Sequence, residues 1–294
     1  MTDTAVPLSP QEMRLLEGLR LNPRRSFSGR IRGERLTQRR GLSIEFADYR
    51  EYSEGDDLRH LDWNVLARLE TPIMKTYRDE EDLAVHLLVD ASASMAFGEP
   101  SKLEAANRFA TALGLIGLAA GDAIYPRHLG MREAPRPPLR GRSAGLELMA
   151  WPARPQEAAS GSLGESLRQF ASSRARTGLV ILVSDGLDPE AAAALRILGG
   201  RGHEVFFLQV LSDIELDPDL EGDLRLIDAE SGGPVEITAN GMALADYRRR
   251  LAGHNDGLKE SILRIGGRYA LVRPTDSIAD LVRDVWKRQG WVCT

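Results

Sequence analysis

The sequence predicts an α/β protein built on a mostly parallel sheet in three layers, and three observations predict it. Short apolar runs recur after Asp79, helical segments with their own start and stop signals alternate with them, and polar residues gather where the runs end. The runs are Val85 to Val89, Leu179 to Val183, Val205 to Leu211 and Tyr269 to Val272. Each is too short for a helix and too uniformly apolar for a strand with one wet face, which suits strands covered on both sides. A chain of 294 residues can bury a core of that size.

The helices between them carry punctuation. Ser101 with Glu104 forms a capping box, after which Phe109, Leu113 and Ile116 line one face up to a stop at Gly121. Asp188 followed by Pro189 reads as an N-cap and first helical residue, with Gly199-Gly200 as the stop. A last helix is expected over Ile278 to Arg288. The prolines and glycines between Gly130 and Pro155 predict a loop or hairpin. Asp223 to Thr238, centred on Ser231-Gly232-Gly233, predicts a β-hairpin inserted at about 215–240. The α/β domain is therefore drawn over 79–294, preceded by a distinct segment over 1–78.

That first segment is chemically unlike the rest. Eight arginines (Arg20, Arg24, Arg25, Arg30, Arg32, Arg35, Arg39 and Arg40) face one acid, Glu34. An arm of this kind can bind nucleic acid, but the near absence of aromatic residues favours docking on acidic neighbours of the same chain or a partner. From Gly41 to Tyr77 aromatic, acidic and basic residues mix, with Ile44, Phe46, Tyr49, Tyr52 and Trp63 as anchors of strand-like or irregular structure.

Composition narrows the function. Hydrophobic residues make up 43%, charged residues 28% and aromatic residues 6%, as in a soluble globular protein. No apolar run approaches the roughly 20 residues that cross a bilayer, and MTDTAVPLSPQE has neither a basic start nor an apolar core, so a cytoplasmic location is expected. Cys293 is the only cysteine, which excludes an intrachain disulfide and reads as a bystander thiol. A net charge of −5 argues against nucleic-acid binding by the whole molecule.

The sharpest chemical feature is Asp90-Ala91-Ser92-Ala93-Ser94, directly after the first apolar run, where a parallel sheet presents its carboxyl ends to ligands. One carboxylate and two hydroxyls on alternate loop residues can converge on Mg²⁺, which takes oxygen ligands in octahedral geometry. A second carboxylate is expected from another strand end, and Asp185 in Val183-Ser184-Asp185-Gly186 holds that place, with Gly186 permitting a tight turn. A further hydroxyl is expected from Ser160-Gly161-Ser162, where Ser162 is the candidate, although Ser162 with Glu165 also makes a capping box. The five histidines show no zinc spacing, and His86 within an apolar strand reads as a hydrogen-bonded core residue.

The order Asp-x-Ser-x-Ser, hydroxyl, Asp-Gly resembles the metal-ion-dependent adhesion site of von Willebrand factor type A domains. The resemblance implies a cation held by Asp90, Ser92, Ser94, Ser162 and Asp185, with one position left for an acidic residue of a partner; Ser162 stands where that family usually has threonine. A second resemblance covers about Arg24 to Gly290. Gly41-Leu-Ser-Ile-Glu45-Phe46, Tyr49-Arg50-Glu51-Tyr52, Gly55-Asp56-Asp57-Leu58-Arg59-His60-Leu61-Asp62-Trp63 and Ala67-Arg68 are similar to the signature of the prokaryotic family called domain of unknown function 58, as are the Leu226-Ile-Asp228 hairpin and Tyr247. It implies a von Willebrand A-like protein that works with a MoxR-type AAA+ ATPase in chaperone-like assembly or maturation of client proteins. Members of that family often carry transmembrane helices ahead of the signature; no such run stands in this sequence.

Within the signature, Arg50, Glu51, Asp56, Asp57, Arg59, Asp62 and Arg68 can form charge-assisted pairs that fix an extended segment across the α/β domain, with Tyr52 and Gly55 in the same block and Trp63 as apolar anchor. Acid-base catalysis by Asp56 and Asp57 is disfavoured, because neighbours in an extended chain point to opposite faces. Gly141-Arg-Ser143-Ala-Gly145 imitates a nucleophile elbow but follows no buried strand. Asp217 to Asp228 imitates a calcium loop without flanking helices. The expected function is therefore non-enzymatic binding with a Mg²⁺ site; the alternatives are a metal-dependent phosphohydrolase using Asp90 and nucleic-acid binding through the arginine arm.

Overall fold

Ser9 opens the first helix, α1 (Pro10–Leu16): its hydroxyl accepts from the Glu12 N–H while the Glu12 carboxylate accepts from the Ser9 N–H. This computed structural model describes residues 8–25, 45–53, 56, 58, 61–78, 82–132, 136–153, 157–158, 161–229 and 232–294. They fall into two units, one of residues up to Phe27 together with Leu83–Thr294, the other of Ser28–Asp82.

In the smaller unit, β2 (Glu45–Glu51) pairs antiparallel with β3 (Ile73–Arg78), with a register irregularity between Phe46 and Asp48. Between them lies α2 (Trp63–Leu69), whose N-cap is Asp62. The block expected to be one extended segment is thus a strand pair with a short helix, because the Asp62 carboxylate satisfies the Asn64 and Val65 N–H groups and nucleates a turn.

In the larger unit, β1 (Arg20–Leu21) pairs antiparallel with β14 (Val292–Cys293), joining the two ends of the described chain. Between them run β4 (Ala84–Asp90), α3 (Lys102–Ala120), β5 (Ala123–Leu129), β6 (Met131–Arg132), β7 (Leu139–Arg140), α4 (Gly145–Ala150), β8 (Glu157–Ala158) and α5 (Leu163–Ser172). Next come β9 (Leu179–Ser184), α6 (Ala191–Gly200), β10 (Glu204–Val210), α7 (Asp213–Leu216), β11 (Gly222–Ile227), β12 (Pro234–Ala239), α8 (Gly241–Arg264), β13 (Arg268–Val272) and α9 (Ile278–Asp280), which continues as a π-helix over Leu281–Lys287. Six strands form one sheet in the order β13-β10-β9-β4-β5-β7, parallel except for β7. β11 and β12 form the expected hairpin.

Side chains of β4 alternate between two cores, as the pleat requires. Val85, Leu87 and Val89 join α3, Trp286 and Trp291 on one face; Leu88 joins Leu167, Leu195, Leu258 and Ile262 on the other. Helices therefore cover both faces, which explains why β4, β9 and β10 are buried at every residue. At Gly178 a Cβ would lie 2.1 Å from the Ala84 carbonyl oxygen, so only glycine lets β9 enter beside β4.

Two expectations shift, the segment boundary and the cap of α6, and one strand was not foreseen. The boundary at 78/79 separates residues that pack together: Leu8, Leu16, Leu19 and Leu21 are buried in the α3-side core. The described part of the arginine segment docks on its own chain, where the Arg24 and Arg25 N–H groups donate to the buried Glu204 carboxylate and the Arg25 guanidinium donates to the carbonyls of Gly199, His203 and Ile265. Arg30, Arg32, Arg35, Arg39 and Arg40 lie outside the described residues. Asp188 is not the N-cap of α6; Glu190 is, and Asp188 instead accepts from the Glu190 and Gly164 N–H groups. A strand was also missed: β5 carries Tyr125, Pro126, Arg127 and His128 in its second half. Proline is tolerated there because β7 pairs only with Ala123 and Ile124, leaving the outer edge at Pro126 unpaired among the described residues.

Candidate functional site

β4 and β9 are adjacent, and the chain leaves them in opposite directions, toward β5 on one side and toward β10 and β13 on the other. The crevice at their carboxyl ends is the switch point of the sheet, where open α/β folds bind ligands. Asp90 ends β4 and Asp185 follows β9.

Asp90 is locked from two sides: the Ser92 N–H donates to Oδ1 at 3.0 Å and the Ser184 hydroxyl donates to Oδ2 at 2.5 Å. Ser184 Oγ also accepts from the Gly186 N–H at 2.9 Å, so this serine shapes the turn while holding the carboxylate. Ser94 Oγ donates to Asp185 Oδ2 at 2.8 Å and lies 3.2 Å from Ser92 Oγ. Asp185 Oδ1 accepts from the Leu187 N–H at 3.2 Å. Gly186, with φ +65°, makes the turn; a Cβ there would meet Leu258 and Phe207 at 2.8 Å. The structure thus brings Asp90, Ser92, Ser94 and Asp185 together. Burial pushes the Asp90 carboxyl up to about 6, against the Ser184 bond and with the neighbouring Asp185 charge adding to the rise.

Sequence reasoning missed the strongest partner in the cluster. Lys102, wholly buried, is the first residue of α3 and donates to Asp185 Oδ2 at 2.8 Å and to Glu215 Oε1 at 2.5 Å. An ammonium at a helix N-terminus opposes the helix dipole, so its placement is explained by the carboxylates and not by the helix. Burial opposes its charge, but Asp185 and Glu215 outweigh burial and hold its pKa above the ordinary lysine value. Glu215 is fixed in turn by the Ser212 N–H and hydroxyl on Oε2, and Tyr247 donates to the Glu215 carbonyl. The only hint in the sequence was a lysine directly after a helix cap, and nothing local says that such a side chain turns inward. A second chain of bonds supports the loop from behind: Gln209 donates to the Asp185 carbonyl at 2.7 Å and to Asn255 Oδ1 at 2.9 Å, and His254 donates to the Gly186 carbonyl at 2.8 Å.

Ser162 is placed differently. It caps α5 in a closed box with Glu165 and hydrogen-bonds the Asp188 carboxylate, so its hydroxyl serves the helix and the loop after Asp185. Ser160 lies outside the described residues. His86 is the core residue expected, its Nε2 on the Arg176 carbonyl at 2.8 Å. Among the described residues no three His, Cys, Asp or Glu side chains form a metal-binding group. Ser143 sits exposed in a short 3₁₀ turn, which removes the nucleophile elbow.

Of the signature residues, Arg50 grips Asp56 with two bonds of 2.6 Å, and this pairing, with the Ser53 N–H, brings the Asp56 carboxyl down to about 2. Tyr49 donates to the capping Asp62 at 3.3 Å. Glu51 ends β2, the Tyr52 N–H donates to the Pro72 carbonyl, and Arg68 lies in the last turn of α2. Trp63 is 61% exposed, and α2 buries none of its residues. Gly55, Asp57, Arg59 and His60 lie outside the described residues.

A family model described as "Protein of unknown function DUF58" matches residues 48–256, which span both units and the whole Asp90–Asp185 cluster. The chain belongs to this family. A relative, "Uncharacterized protein Rv1480" of Mycobacterium tuberculosis, is 29% identical over 290 residues, covering 95% of this chain and 90% of that protein. "Uncharacterized protein MAV169" of Mycobacterium avium is 32% identical over 133 residues, 44% of this chain and 77% of that one. Among solved structures, BatB from Bacteroides thetaiotaomicron aligns with a TM-score of 0.43 at 17% identity, over 71% of this chain and 98% of that one. An aerotolerance-related membrane protein from Bacteroides fragilis aligns with a TM-score of 0.44 at 16% identity, over 70% and 98%. Among the described residues of this DUF58 chain, no helix is long and apolar enough to cross a membrane.

Proposed function

We propose that this DUF58 protein is a non-catalytic protein-interaction module of von Willebrand A type, in which Asp90, Ser92, Ser94 and Asp185 hold a divalent cation, most naturally Mg²⁺. The observation that carries the reading is the spacing of hard oxygens at the switch point: Ser94 Oγ lies 3.2 Å from Ser92 Oγ and 2.8 Å from Asp185 Oδ2. Neighbouring ligands around an octahedral Mg²⁺ at about 2.1 Å stand about 3 Å apart, and these separations are of that size. Charge agrees. Asp90, Asp185 and Glu215 against Lys102 leave two negative charges, the complement of one divalent ion. When bound, the ion would supply charge neutralisation and a coordination position for a carboxylate of a partner.

Lys102 has a defined part in this reading. By tying Asp185 to Glu215 it keeps the acidic cluster assembled and limits its repulsion. The DUF58 resemblance supplies the partner: a MoxR-type AAA+ ATPase, with this chain as adaptor toward a client protein.

Calorimetric titration of Mg²⁺ and Mn²⁺ into the full chain tests the site. Binding that weakens by about tenfold or more in both Asp90→Asn and Ser94→Ala is expected, since each removes an oxygen ligand or its charge; equal affinity in all three proteins sinks the metal site. A pull-down from the source cell's extract with Mg²⁺ and with EDTA tests the contact. An AAA+ ATPase recovered only with Mg²⁺ supports it, and the same ATPase in both lanes refutes a metal-bridged contact.

A further inference from the structure

A cavity of about 1000 Å³ opens at the β5 edge of the larger unit, away from the residues of the Asp90–Asp185 cluster. Its wall carries five arginines, Arg127 on β5, Arg136 and Arg140 on the following segment, and Arg174 and Arg176 after α5. Glu147 is the one acid among the lining residues; Arg140, Arg176 and Glu147 each have interactions of their own, and Arg127, Arg136 and Arg174 supply three further positive charges on the wall of a protein whose net charge is −5. Concentration of one sign in a concave site focuses the field on an ion of the other sign.

Several guanidinium groups outside the cavity meet carboxylates, as in Arg108–Glu12, Arg168–Glu190, Arg248–Asp217 and Arg273–Asp213. Arg127, Arg136 and Arg174 make no ion pair with a described residue, and Arg127 is half-buried in this state. Holding like charges together around a hollow costs Coulomb energy that an anion would recover. The same hollow is backed by Tyr125, Phe170 and Trp151, and Pro137 and Pro138 stiffen its opposite side.

We propose that this cavity binds an oligophosphate, either the triphosphate of a nucleotide or inorganic triphosphate. Guanidinium groups match phosphate oxygens in two-pronged bonds, and a contiguous phosphate chain bearing three to four negative charges suits the three cations of Arg127, Arg136 and Arg174. A volume at the upper end of the usual range for small-molecule sites, about 300–1000 Å³, suits a compact ligand better than a polypeptide. The site is independent of the proposed cation site and shares none of its residues.

The test is isothermal titration of the full chain in EDTA and 100 mM NaCl with ATP, GTP, inorganic triphosphate and a decaglutamate peptide. Binding of at least one phosphate compound is expected, weakened about thirtyfold or more by the Arg136→Ala/Arg174→Ala pair, on the basis of roughly tenfold per charged hydrogen-bonding group with partial overlap. Both side chains are exposed, so this variant is expected to fold; Arg127→Ala supplies a third probe within the sheet. Arg264→Ala, a surface arginine on α8 paired with Glu260, is expected to bind as the native chain does. ATP and GTP binding more tightly than inorganic triphosphate assigns a ring-reading role to the aromatic wall, and equal affinity assigns recognition to phosphate alone; both outcomes support the site. No heat from any phosphate compound, equal losses in Arg264→Ala, or tighter binding of decaglutamate would overturn it.

Discussion

Asp90 meets opposing demands: it is 2% exposed, yet both oxygens are held by donors that favour its charged form. Burial wins, and the folded carboxyl titrates near 6 where an unfolded aspartate titrates near 3.9. The folded state therefore binds more protons between those values, so without metal the Asp90 contribution is fully present below about pH 4 and is lost as pH rises through about 6. Asp90→Asn removes that titration. In EDTA, urea denaturation should show the variant gaining on the native chain by about 2–3 kcal/mol between pH 4 and pH 7. A native-minus-variant difference that stays constant across that range would show that Asp90 does not titrate there.

Lys102 and Ser162 show how far residue types can be read before packing is known. Asp90, Ser92, Ser94 and Asp185 were legible because each ends or follows a strand, and strand ends in a parallel sheet meet at one edge. Lys102 was illegible: a lysine at a helix start is ordinarily solvated, and only the approach of Asp185 and Glu215 makes its burial tolerable.

At the scale of elements, α5 carries the issue of Ser162. Its hydroxyl accepts from the Glu165 N–H, and the Glu165 carboxylate accepts from the Ser162 N–H, so the cap is complete without a ligand. Ser162→Ala is expected to cost about 1 kcal/mol in thermal or urea unfolding and to leave cation affinity unchanged. A tenfold loss of cation affinity with unchanged stability would instead return Ser162 to the ligand set. β5 teaches a related lesson. Its apolar first half, Ala123 and Ile124, is two residues long, and Pro126 is a poor strand residue, so local pattern gave no strand. The element forms because β4 offers a full parallel partner from Ala84 to Asp90. The capping box at Ser101, the Gly121 stop and the β11–β12 hairpin were readable because each depends on residues within a few positions.

At the scale of the molecule, the N-terminal residues belong to the core of the larger unit. Leu8, Leu16, Leu19 and Leu21 are buried, and the Arg24 and Arg25 N–H groups satisfy the wholly buried Glu204 carboxylate. Removal of residues 1–25 exposes that apolar surface and strands a buried charge, each worth several kcal/mol. The truncated chain is expected to lose its cooperative unfolding transition, read by circular dichroism against the full chain; an unchanged midpoint would mean that this packing contributes nothing to stability.

The sequence by itself determined the parallel α/β architecture, the hairpin, the DUF58 membership and the strand-end positions of Asp90 and Asp185. Those properties rest on local signals: burial periodicity, caps, turns and a motif of fixed spacing. Only the tertiary structure decided the inward turn of Lys102, the bond of Ser162 to the Asp188 carboxylate, the docking of Arg25 and the gathering of five arginines around one cavity. Each of these joins residues from distant parts of the chain, and the charge of a side chain does not say which neighbour will be brought to it.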